Sequence, residues 1–228
     1  MSLTYTVVTW MVKGLTDVMC RVHDAELAKV PWQGPLIMVS NHVNFIEVPA
    51  IYTHLLPRPV TGVARASSWD NAFKRMLFTL WGAIPIRRGE ADIVAIRQVL
   101  AALEEGRIIA IAPEGTRSHD GLLQTAHPGV TVLALQSGAP VMPVVFYGAE
   151  QLQTNLKRLR RTDFHIVVGA PFRLDPRGVR VDRRVRRQMT DEIMYKMAAL
   201  LPEPYRGVYA NLDNATEEYL RFDPGARP

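Results

Sequence analysis

The chain has 228 residues with 48% hydrophobic content, and its 27 Lys and Arg against 22 Asp and Glu give a net charge of +5. This length and apolar content predict one folded domain with a substantial core and argue against a disordered chain. The single Cys20 excludes an internal disulfide and a cysteine-rich zinc site. The positive charge favours acidic partners, such as nucleic acid, anionic lipid or phosphorylated substrates.

The first 30 residues form an apolar segment that we predict to be helical. Lys13 and Asp17 interrupt it, whereas a bilayer span needs about 20 mostly apolar residues, so a transmembrane helix is not expected. A basic region followed by a small-residue cleavage site is lacking, so a signal peptide is not expected either. Two interpretations remain equal: a helix packed on the core, or a helix in the membrane interface with Tyr5 and Trp10 near the headgroups.

Beyond this segment, apolar strands alternate with helical patterns. The predicted strands are 35–39, 59–64, 83–89, 107–112, 140–147 and 164–169, and the predicted helices are 45–56, 70–80, 90–105, 129–137 and 182–200. Helix 70–80 is typical, because Phe73, Met76, Leu77 and Leu80 follow helical spacing. The alternation predicts an α/β fold with a central, largely parallel mixed sheet flanked by helices.

These patterns divide the chain into an N-terminal apolar helical segment at 1–30, a domain at 31–209 and a C-terminal extension at 210–228. Proline and charged residues become frequent from Pro202 onward, which predicts a loosely attached tail.

Positive charge is concentrated late in the sequence, where residues 157–187 contain eleven Lys and Arg against three Asp. Four arginines, Arg183, Arg184, Arg186 and Arg187, begin the predicted helix 182–200 and oppose its dipole there. A solvated face explains them, and a bound anion is the alternative. Aromatic residues are not interleaved with the basic runs, which argues against binding of single-stranded nucleic acid.

Polar residues follow three of the predicted strands, and His42 is the first of them. It lies where strand 35–39 gives way to helix 45–56, and Glu47 comes five residues later. If the turn brings this carboxylate back to the ring, it holds one imidazole nitrogen and leaves the other free as a base. The alternative is a histidine that caps the helix or packs against it.

The other two loops supply guanidinium groups and a glycine. Arg87 and Arg88 end the strand at 83–89. The loop after strand 107–112 contains Glu114, Gly115, Thr116 and Arg117. If the strands are parallel neighbours, all three loops meet at the sheet edge where open α/β folds bind ligands. Guanidinium groups suit a phosphate, and a glycine allows close approach of the backbone to a ligand.

Several other chemistries lack their sequence signatures. The sequence has no nucleotide-binding glycine loop, no zinc-ligand spacing and no Gly-x-Ser-x-Gly elbow. A base without a protein nucleophile suggests that the substrate supplies the attacking group.

Four short strings in fixed order carry a resemblance to a known family. They are Asn41-His42 with Glu47 after four intervening residues, Gly82–Arg88, Pro113–Ser118 and Val141–Val144. In order and spacing they resemble the glycerolipid acyltransferases of the lysophosphatidic acid acyltransferase type. The resemblance runs from residue 34 to 145, and more loosely to 209, so the domain at 31–209 is identified as an acyltransferase domain.

The resemblance implies a reaction and roles for these residues. His42 would take the proton from the hydroxyl of a lysophospholipid, most directly 1-acyl-glycerol-3-phosphate, which attacks the thioester of acyl-CoA or acyl-carrier protein. Glu47 would orient His42 and support its imidazolium form. The substrate-binding residues would be Arg87, Arg88, Glu114, Gly115, Thr116 and Arg117. The strand around Pro143 either lines the acyl region or is purely structural.

The same resemblance implies the surroundings of the enzyme. Neither a cofactor nor a metal is expected, because the acyl thioester is a co-substrate. The implied partners are the thioester donor, the lysophospholipid acceptor and an anionic membrane surface, but not nucleic acid. The expected location is the cytoplasmic side of the cell membrane, with peripheral or monotopic attachment.

The sequence departs from the family at two places. The family usually has Asp at the position of Glu47, and the extra methylene displaces the carboxylate by roughly 1 Å or more unless the backbone compensates. In Ala126–Gly129 the family often has an aromatic residue and a lysine before the glycine, so His127 replaces that charge only when protonated.

Three other functions remain open on the sequence. The first is the same chemistry on another lysolipid or on an amino-acid lipid. The second is a lipid-binding protein that has lost turnover through Glu47. The third is a basic nucleic-acid-binding module, which explains the late arginines but none of the three loops.

Overall fold

The computed structural model describes residues 3–87 and 92–223, and nine strands within them form one sheet. The strands are β1 (Cys20–His23), β2 (Leu36–Val39), β3 (Val60–Arg65), β4 (Ile84–Ile86), β5 (Ile108–Ile111), β6 (Val141–Tyr147), β7 (Thr162–Val168), β8 (Phe172–Leu174) and β9 (Leu220–Phe222). Their spatial order is β1-β7-β6-β2-β5-β3-β4, with β8 paired to both β6 and β9.

The described helices are α1 (Leu3–Met19), α2 (Glu47–His54), α3 (Ala72–Leu80), α4 (Ile93–Glu104), α5 (Gly129–Ser137), α6 (Leu152–Lys157) and α7 (Arg183–Leu200). Short 3₁₀ turns connect several of these elements. The helices and strands predicted from periodicity are all present, with their ends shifted by a few residues.

The predicted α/β fold with a largely parallel mixed sheet is confirmed. Strands β2, β3, β4, β5 and β6 all run in one direction, and β1 is parallel to β7. The antiparallel pairs are β6 with β7, β6 with β8 and β8 with β9. The carboxyl ends of β2, β3, β4, β5 and β6 therefore share one side of the sheet, which we call the carboxyl edge.

The sheet is buried on both faces, which explains why its central strands are continuously apolar. In β2, Leu36 and Met38 pack with α2 on one face, while Ile37 and Val39 pack with α4, α5 and α7 on the other. Each of these four side chains is at most 1% exposed. This double packing fixes the end of β2, where His42 follows.

The tail that the sequence predicted to be loose is held in place as far as residue 223, so that prediction was wrong for residues 202–223, and residues 224–228 lie outside the described part of the chain. Strand β9 pairs with β8, and Leu220 is buried. The carboxylate of Glu192 on α7 accepts hydrogen bonds from the backbone N–H groups of Glu218 and Tyr219, both at 3.0 Å. A contact between a distant carboxylate and backbone amides leaves no local pattern in the sequence.

The sheet also extends into the predicted N-terminal and C-terminal segments. Strand β1 lies within segment 1–30, and β9 lies within segment 210–228. The boundaries assigned at these positions stay a prediction.

Helix α1 packs on α2 but leaves much of its apolar surface exposed. The exposed residues of this apolar α1 face are Leu3, Val7, Trp10, Met11, Leu15 and Val18. Helix α3 is similar, because Phe73 is 63% exposed and Met76 is 49% exposed. Trp81, directly after α3, donates a hydrogen bond to Thr9 of α1 at 3.2 Å. None of the helices in the described part of the chain combines the length and apolar character that crossing a bilayer requires.

Candidate active site

His42 and Glu47 are in contact at the carboxyl edge. Glu47 is the first residue of α2, and its side chain folds back so that Oε2 lies 3.2 Å from His42 Nδ1. The same carboxylate accepts a hydrogen bond from the backbone N–H of Asn44 at 3.1 Å. Glu47 is 2% exposed, and the His42 side chain is 18% exposed. The longer side chain of Glu47 therefore reaches the imidazole, because the turn returns it to the ring.

Arg117 contacts the other nitrogen of the imidazole. Its Nε donates a hydrogen bond to His42 Nε2 at 3.2 Å. Because a guanidinium Nε always carries a hydrogen, Nε2 must accept, which places the single proton of the neutral ring on Nδ1, facing Glu47. Two backbone hydrogen bonds join the loops that carry these residues, from Ser118 N–H to the His42 carbonyl at 2.8 Å and from His119 N–H to the Val43 carbonyl at 3.1 Å.

Glu114 joins the same two loops from inside. Its Oε1 accepts a hydrogen bond from His42 N–H at 3.2 Å, and its Oε2 accepts one from Gln124 N–H at 2.8 Å. Burial raises the pKa of this carboxyl to about 7, and the two backbone donors act in the opposite direction. With the side chain 2% exposed and both oxygens bonded to backbone, Glu114 contributes by holding the His42 backbone in place.

Two asparagines complete the support of the His42 loop, and the sequence reasoning did not assign them a role. Asn41 donates to the Phe146 carbonyl and accepts from Phe146 N–H, both at 2.8 Å, which ties the end of β2 to β6. Asn44 donates to the Ala149 carbonyl at 2.6 Å and accepts from Ile46 N–H at 2.8 Å. The feature of the sequence that could have identified these asparagines is their position close to His42, one on each side of it.

The remaining predicted site residues are Gly115, Thr116, Arg87 and Arg88. Gly115 has a φ of +67°, and a Cβ there would lie 3.0 Å from Cδ2 of His127, so a glycine suits this position. Thr116 is exposed. Arg87 is also exposed and follows β4, which is separated from β5 by β3. Arg88 lies outside the described residues, so its predicted contact with substrate stays a prediction.

A small apolar cleft opens beside His42. It has a volume of about 80 Å³ and is lined at its polar end by Ser40, Asn41, His42 and Glu47. Its apolar walls include Val48, Ile51, Tyr52, Val63, Phe78 and Ile111. Tyr52 stacks on Trp81 with ring centroids 4.5 Å apart, and its hydroxyl accepts a hydrogen bond from Gly62 N–H at 2.5 Å. The cleft thus joins a polarised imidazole to an apolar lining.

The site offers acid–base groups and cations rather than metal ligands. Within residues 3–87 and 92–223, no cluster of three His, Cys, Asp or Glu side chains is arranged to hold a metal ion. The arrangement of a buried carboxylate at Nδ1 of an imidazole, with Nε2 contacted by Arg117, resembles the acid and base of a hydrolytic triad without its nucleophile.

Comparisons with known proteins give matches in sequence and in fold. The family model described as Acyltransferase matches residues 20–147, a range that contains His42, Glu47 and the loop at 114–117. A lyso-ornithine lipid O-acyltransferase of Pseudomonas aeruginosa is 32% identical over 142 residues, which cover 56% of this chain and 54% of that protein. A 1-acyl-sn-glycerol-3-phosphate acyltransferase of Borreliella burgdorferi is 28% identical over 120 residues, which cover 52% of this chain and 48% of that protein. The matched region therefore spans about half the length of these relatives.

A solved structure shares the fold. The crystal structure of the 1-acyl-sn-glycerophosphate acyltransferase PlsC from Thermotoga maritima superposes with a TM-score of 0.63. The match covers 86% of this chain and 78% of that chain at 19% sequence identity.

Proposed function

This chain belongs to the acyltransferase family, and we propose that it moves a fatty acyl group from acyl-CoA or acyl-carrier protein to the free hydroxyl of a lysophospholipid. The acceptor that we favour is 1-acyl-glycerol-3-phosphate, which gives phosphatidic acid. One observation supports this reaction most directly. Glu47 Oε2 lies 3.2 Å from Nδ1 of His42, which leaves Nε2 as the base at the mouth of an apolar cleft.

In this reaction His42 acts as the general base. The acceptor hydroxyl gives its proton to Nε2 while its oxygen attacks the thioester carbonyl carbon. The C–S bond then breaks, and the leaving sulfur takes the proton from the imidazolium. Base assistance of this kind contributes about 10²–10⁴-fold to the rate. Buried Glu47 stabilises the imidazolium through Nδ1, as the acid of a hydrolytic triad does.

Arg117 has to move before this proton transfer. Its Nε now donates to His42 Nε2, which is the atom that the substrate hydroxyl must reach. A guanidinium binds a phosphate with two parallel hydrogen bonds, which are stronger than one bond to a neutral imidazole. Arrival of an anionic headgroup therefore draws Arg117 onto the phosphate and frees Nε2 for the hydroxyl.

The cleft suits the reacting end of the acyl chain. Its volume of about 80 Å³ is well below the roughly 300–1,000 Å³ of sites that enclose a whole small ligand. We assign it to the thioester carbonyl and the first carbons of the chain, against Val48, Ile51 and Phe78. The rest of both lipids then lies outside the cleft.

An amino-acid lipid is the second candidate for the acceptor. The lyso-ornithine lipid O-acyltransferase of Pseudomonas aeruginosa, at 32% identity, favours it. A carboxylate in such a headgroup would bind the Arg117 guanidinium as a phosphate does. The chemistry at His42 is the same for both acceptors.

We also propose that the protein lies on the cytoplasmic side of the cell membrane, attached as a peripheral or monotopic protein. The apolar α1 face supports this, because Trp10 is 59% exposed, Met11 is 69% exposed and Val18 is 71% exposed. A helix with such a face lies in the interfacial plane of a bilayer. Acyl-CoA and acyl-carrier protein are cytoplasmic donors, so the site faces that side.

Release of free thiol tests this function. The purified full chain is given acyl-CoA or acyl-carrier protein with a panel of lysophospholipids and lyso-ornithine lipid, and thiol release is followed. We expect release that depends on the acceptor and falls by about 10²–10⁴-fold in His42→Ala. His23→Ala, an exposed histidine on β1, is the matched control and should remain close to wild type. Near wild-type release by His42→Ala would refute the base assignment, and no release with any acceptor would refute the enzyme.

A further inference from the structure

The turn between α6 and β7 presents an unusually exposed leucine among cations. Leu159 is 97% exposed and has a φ of +52°, a conformation that non-glycine residues rarely adopt. Its neighbours are Lys157, Arg158, Arg160 and Arg161, all of them exposed. We call residues 157–161 the basic turn. A strained and fully exposed leucine between four cations has no role in the folded core.

The basic turn is well ordered by its own hydrogen bonds. Arg160 N–H donates to the Asn155 carbonyl at 2.9 Å, and Leu159 N–H donates to the Leu156 carbonyl at 3.1 Å. The Asn155 side chain donates to the Thr162 hydroxyl at 3.1 Å. The turn is therefore a preformed projection, and binding through it costs little ordering entropy.

The basic turn lies on the same side of the sheet as the active site. Strand β7 begins at Thr162 and is antiparallel to β6, whose end at Tyr147 pairs with His165. Because β6 is parallel to β2, the start of β7 lies beyond the carboxyl edge, where His42 follows β2.

The basic turn also contacts the C-terminal end of α1. Arg161 Nη2 donates to the backbone carbonyl of Asp17, in the last turn of α1, at 2.5 Å and to that of Cys20, the first residue of β1, at 2.7 Å. The last part of the apolar α1 face, Leu15 at 59% exposure and Val18 at 71% exposure, is thus next to the turn. Apolar and cationic groups are combined on one rigid surface.

We propose that the basic turn is a second membrane contact, in which Leu159 enters the apolar boundary of an anionic bilayer and the flanking cations bind lipid headgroups. This rests on the proposed function, because it places the mouth of the His42 cleft at the bilayer that holds both lipids. Basic residues near an anionic surface each strengthen binding by about 5-fold. Burial of the Leu159 side chain does not depend on lipid charge, so it strengthens binding to zwitterionic vesicles as well.

The basic turn fits a membrane better than an acidic protein. Cations alone would suit either partner, including a carrier protein that delivers the acyl chain. The leucine at the tip and the neighbouring apolar α1 face favour a bilayer, since both expose apolar side chains in the same region.

The chain offers a matched control for this surface. Val179 is 47% exposed and lies between Arg177, with a φ of +50°, and Arg180. This loop follows β8, which pairs with Val141 at the start of β6 and runs antiparallel to it. The loop therefore lies toward the opposite edge of the sheet, with a similar composition.

Vesicle sedimentation tests the proposal without any need for turnover. The full chain is mixed with phosphatidylcholine vesicles that contain or lack phosphatidylglycerol. We expect Leu159→Ala to weaken binding to both kinds of vesicle by about 10-fold. The double variant Arg158→Glu with Arg160→Glu should lose the preference for phosphatidylglycerol, and Val179→Ala and the double variant Arg177→Glu with Arg180→Glu should match wild type. If Leu159→Ala and the double variant Arg158→Glu with Arg160→Glu both bind vesicles as tightly as wild type does, the proposal is overturned.

A labelled cysteine supplies an independent readout. Cys20 is the sole cysteine and is 1% exposed, so Leu159→Cys and Val179→Cys can each be labelled with a polarity-sensitive fluorophore. We expect a blue shift with phosphatidylglycerol vesicles at position 159 and none at 179. If the turn variants still bind vesicles but no longer bind acyl-carrier protein, the basic turn is instead a contact surface for that acidic protein. Thiol release from a water-soluble acceptor should persist in the turn variants, which separates this proposal from the proposed reaction.

Discussion

The substitution Glu114→Gln tests the buried carboxylate that holds the His42 loop. Both oxygens of Glu114 accept backbone N–H groups, from His42 at 3.2 Å and from Gln124 at 2.8 Å. Glutamine keeps the shape but has one acceptor, so its NH₂ group faces one of these N–H donors. Leaving a buried donor unpaired costs about 1–3 kcal/mol. The backbone of His42 should then lose its fixed position.

The same substitution changes how stability depends on pH. Burial raises the pKa of Glu114 from 4.5 to about 7 in the folded protein. Between these values the folded state keeps a proton that the unfolded state has lost, so the free energy of unfolding falls as pH rises. One pKa unit corresponds to about 1.4 kcal/mol, so this rise corresponds to about 3 kcal/mol. The contribution is fully present below about pH 4.5 and is lost as pH rises through about 7.

Urea unfolding across this range measures the effect. Glutamine does not titrate, so the stability of wild type minus that of Glu114→Gln should fall by about 3 kcal/mol between about pH 4 and pH 8. In activity assays above neutral pH, kcat should fall by about 10–100-fold, because a displaced base loses its alignment. The acceptor KM should change little, since the carboxylate holds backbone rather than substrate.

Glu192→Gln provides the control. Glu192 is 1% exposed and also accepts backbone N–H groups, but it lies on α7 and holds residues 218 and 219. The Glu192→Gln variant should be less stable than wild type but keep nearly the same kcat. A constant stability difference between wild type and Glu114→Gln across the pH range would refute the inferred titration. A rise in acceptor KM with unchanged kcat would instead make Glu114 a substrate contact, as the sequence suggested.

Further substitutions at three positions probe the rest of the site. Glu47→Gln should lower kcat by about 10²–10⁴-fold, because a neutral amide does not stabilise the imidazolium. Glu47→Asp keeps the charge and should lower kcat less. If Glu47→Gln is as active as wild type in the thiol-release assay, Glu47 has no part in the mechanism. Arg117→Ala should raise the acceptor KM about 10-fold with a much smaller change in donor KM, since one charge-assisted contact is lost, and an unchanged acceptor KM would exclude a headgroup role. Gly115→Ala should lower the free energy of unfolding by about 1 kcal/mol or more, because its φ is +67° and the new Cβ meets His127; an unchanged melting temperature would show that the loop relaxes.

The elements that the sequence predicted best have strong periodicity. Helix α7 was expected at 182–200 and is found at Arg183–Leu200, and its apolar residues Met189, Ile193 and Met197 are fully buried. The central strands were predicted equally well, because burial on both faces leaves an unbroken apolar run. Strands β8 and β9 were not predicted. Strands β8 and β9 have three residues each, too few to show any alternation.

An apolar stripe predicted helix α3 correctly but not what covers the stripe. Phe73 and Met76 have helical spacing, yet both are exposed. Periodicity reports that one face of a helix avoids water, and a core, a bilayer or a partner satisfies this equally. For the same reason the sequence left α1 undecided between core and membrane.

Parts of the candidate site followed from the sequence and others did not. The contact of His42 with Glu47 was predicted from a spacing of five residues at a strand end, because the chain between them is too short for many other arrangements. The hydrogen bonds of Glu114 to His42 and Gln124 were not predicted. They link positions 72 and 10 residues apart, and only the packing of β2 beside β5 brings the first pair together.

The size of the cleft and the position of the exposed surfaces have a joint consequence for the proposed reaction. A cleft of about 80 Å³ encloses only the reacting end of a lipid, so most of the acyl chain needs another apolar environment. The contact of Arg161 with the end of α1 places the basic turn, which lies beyond the carboxyl edge, next to the last part of the apolar α1 face. A bilayer bound there would supply that environment and present the acceptor hydroxyl to His42 without extracting the lipid. Loss of membrane contact should therefore reduce turnover of long-chain acceptors far more than turnover of soluble ones.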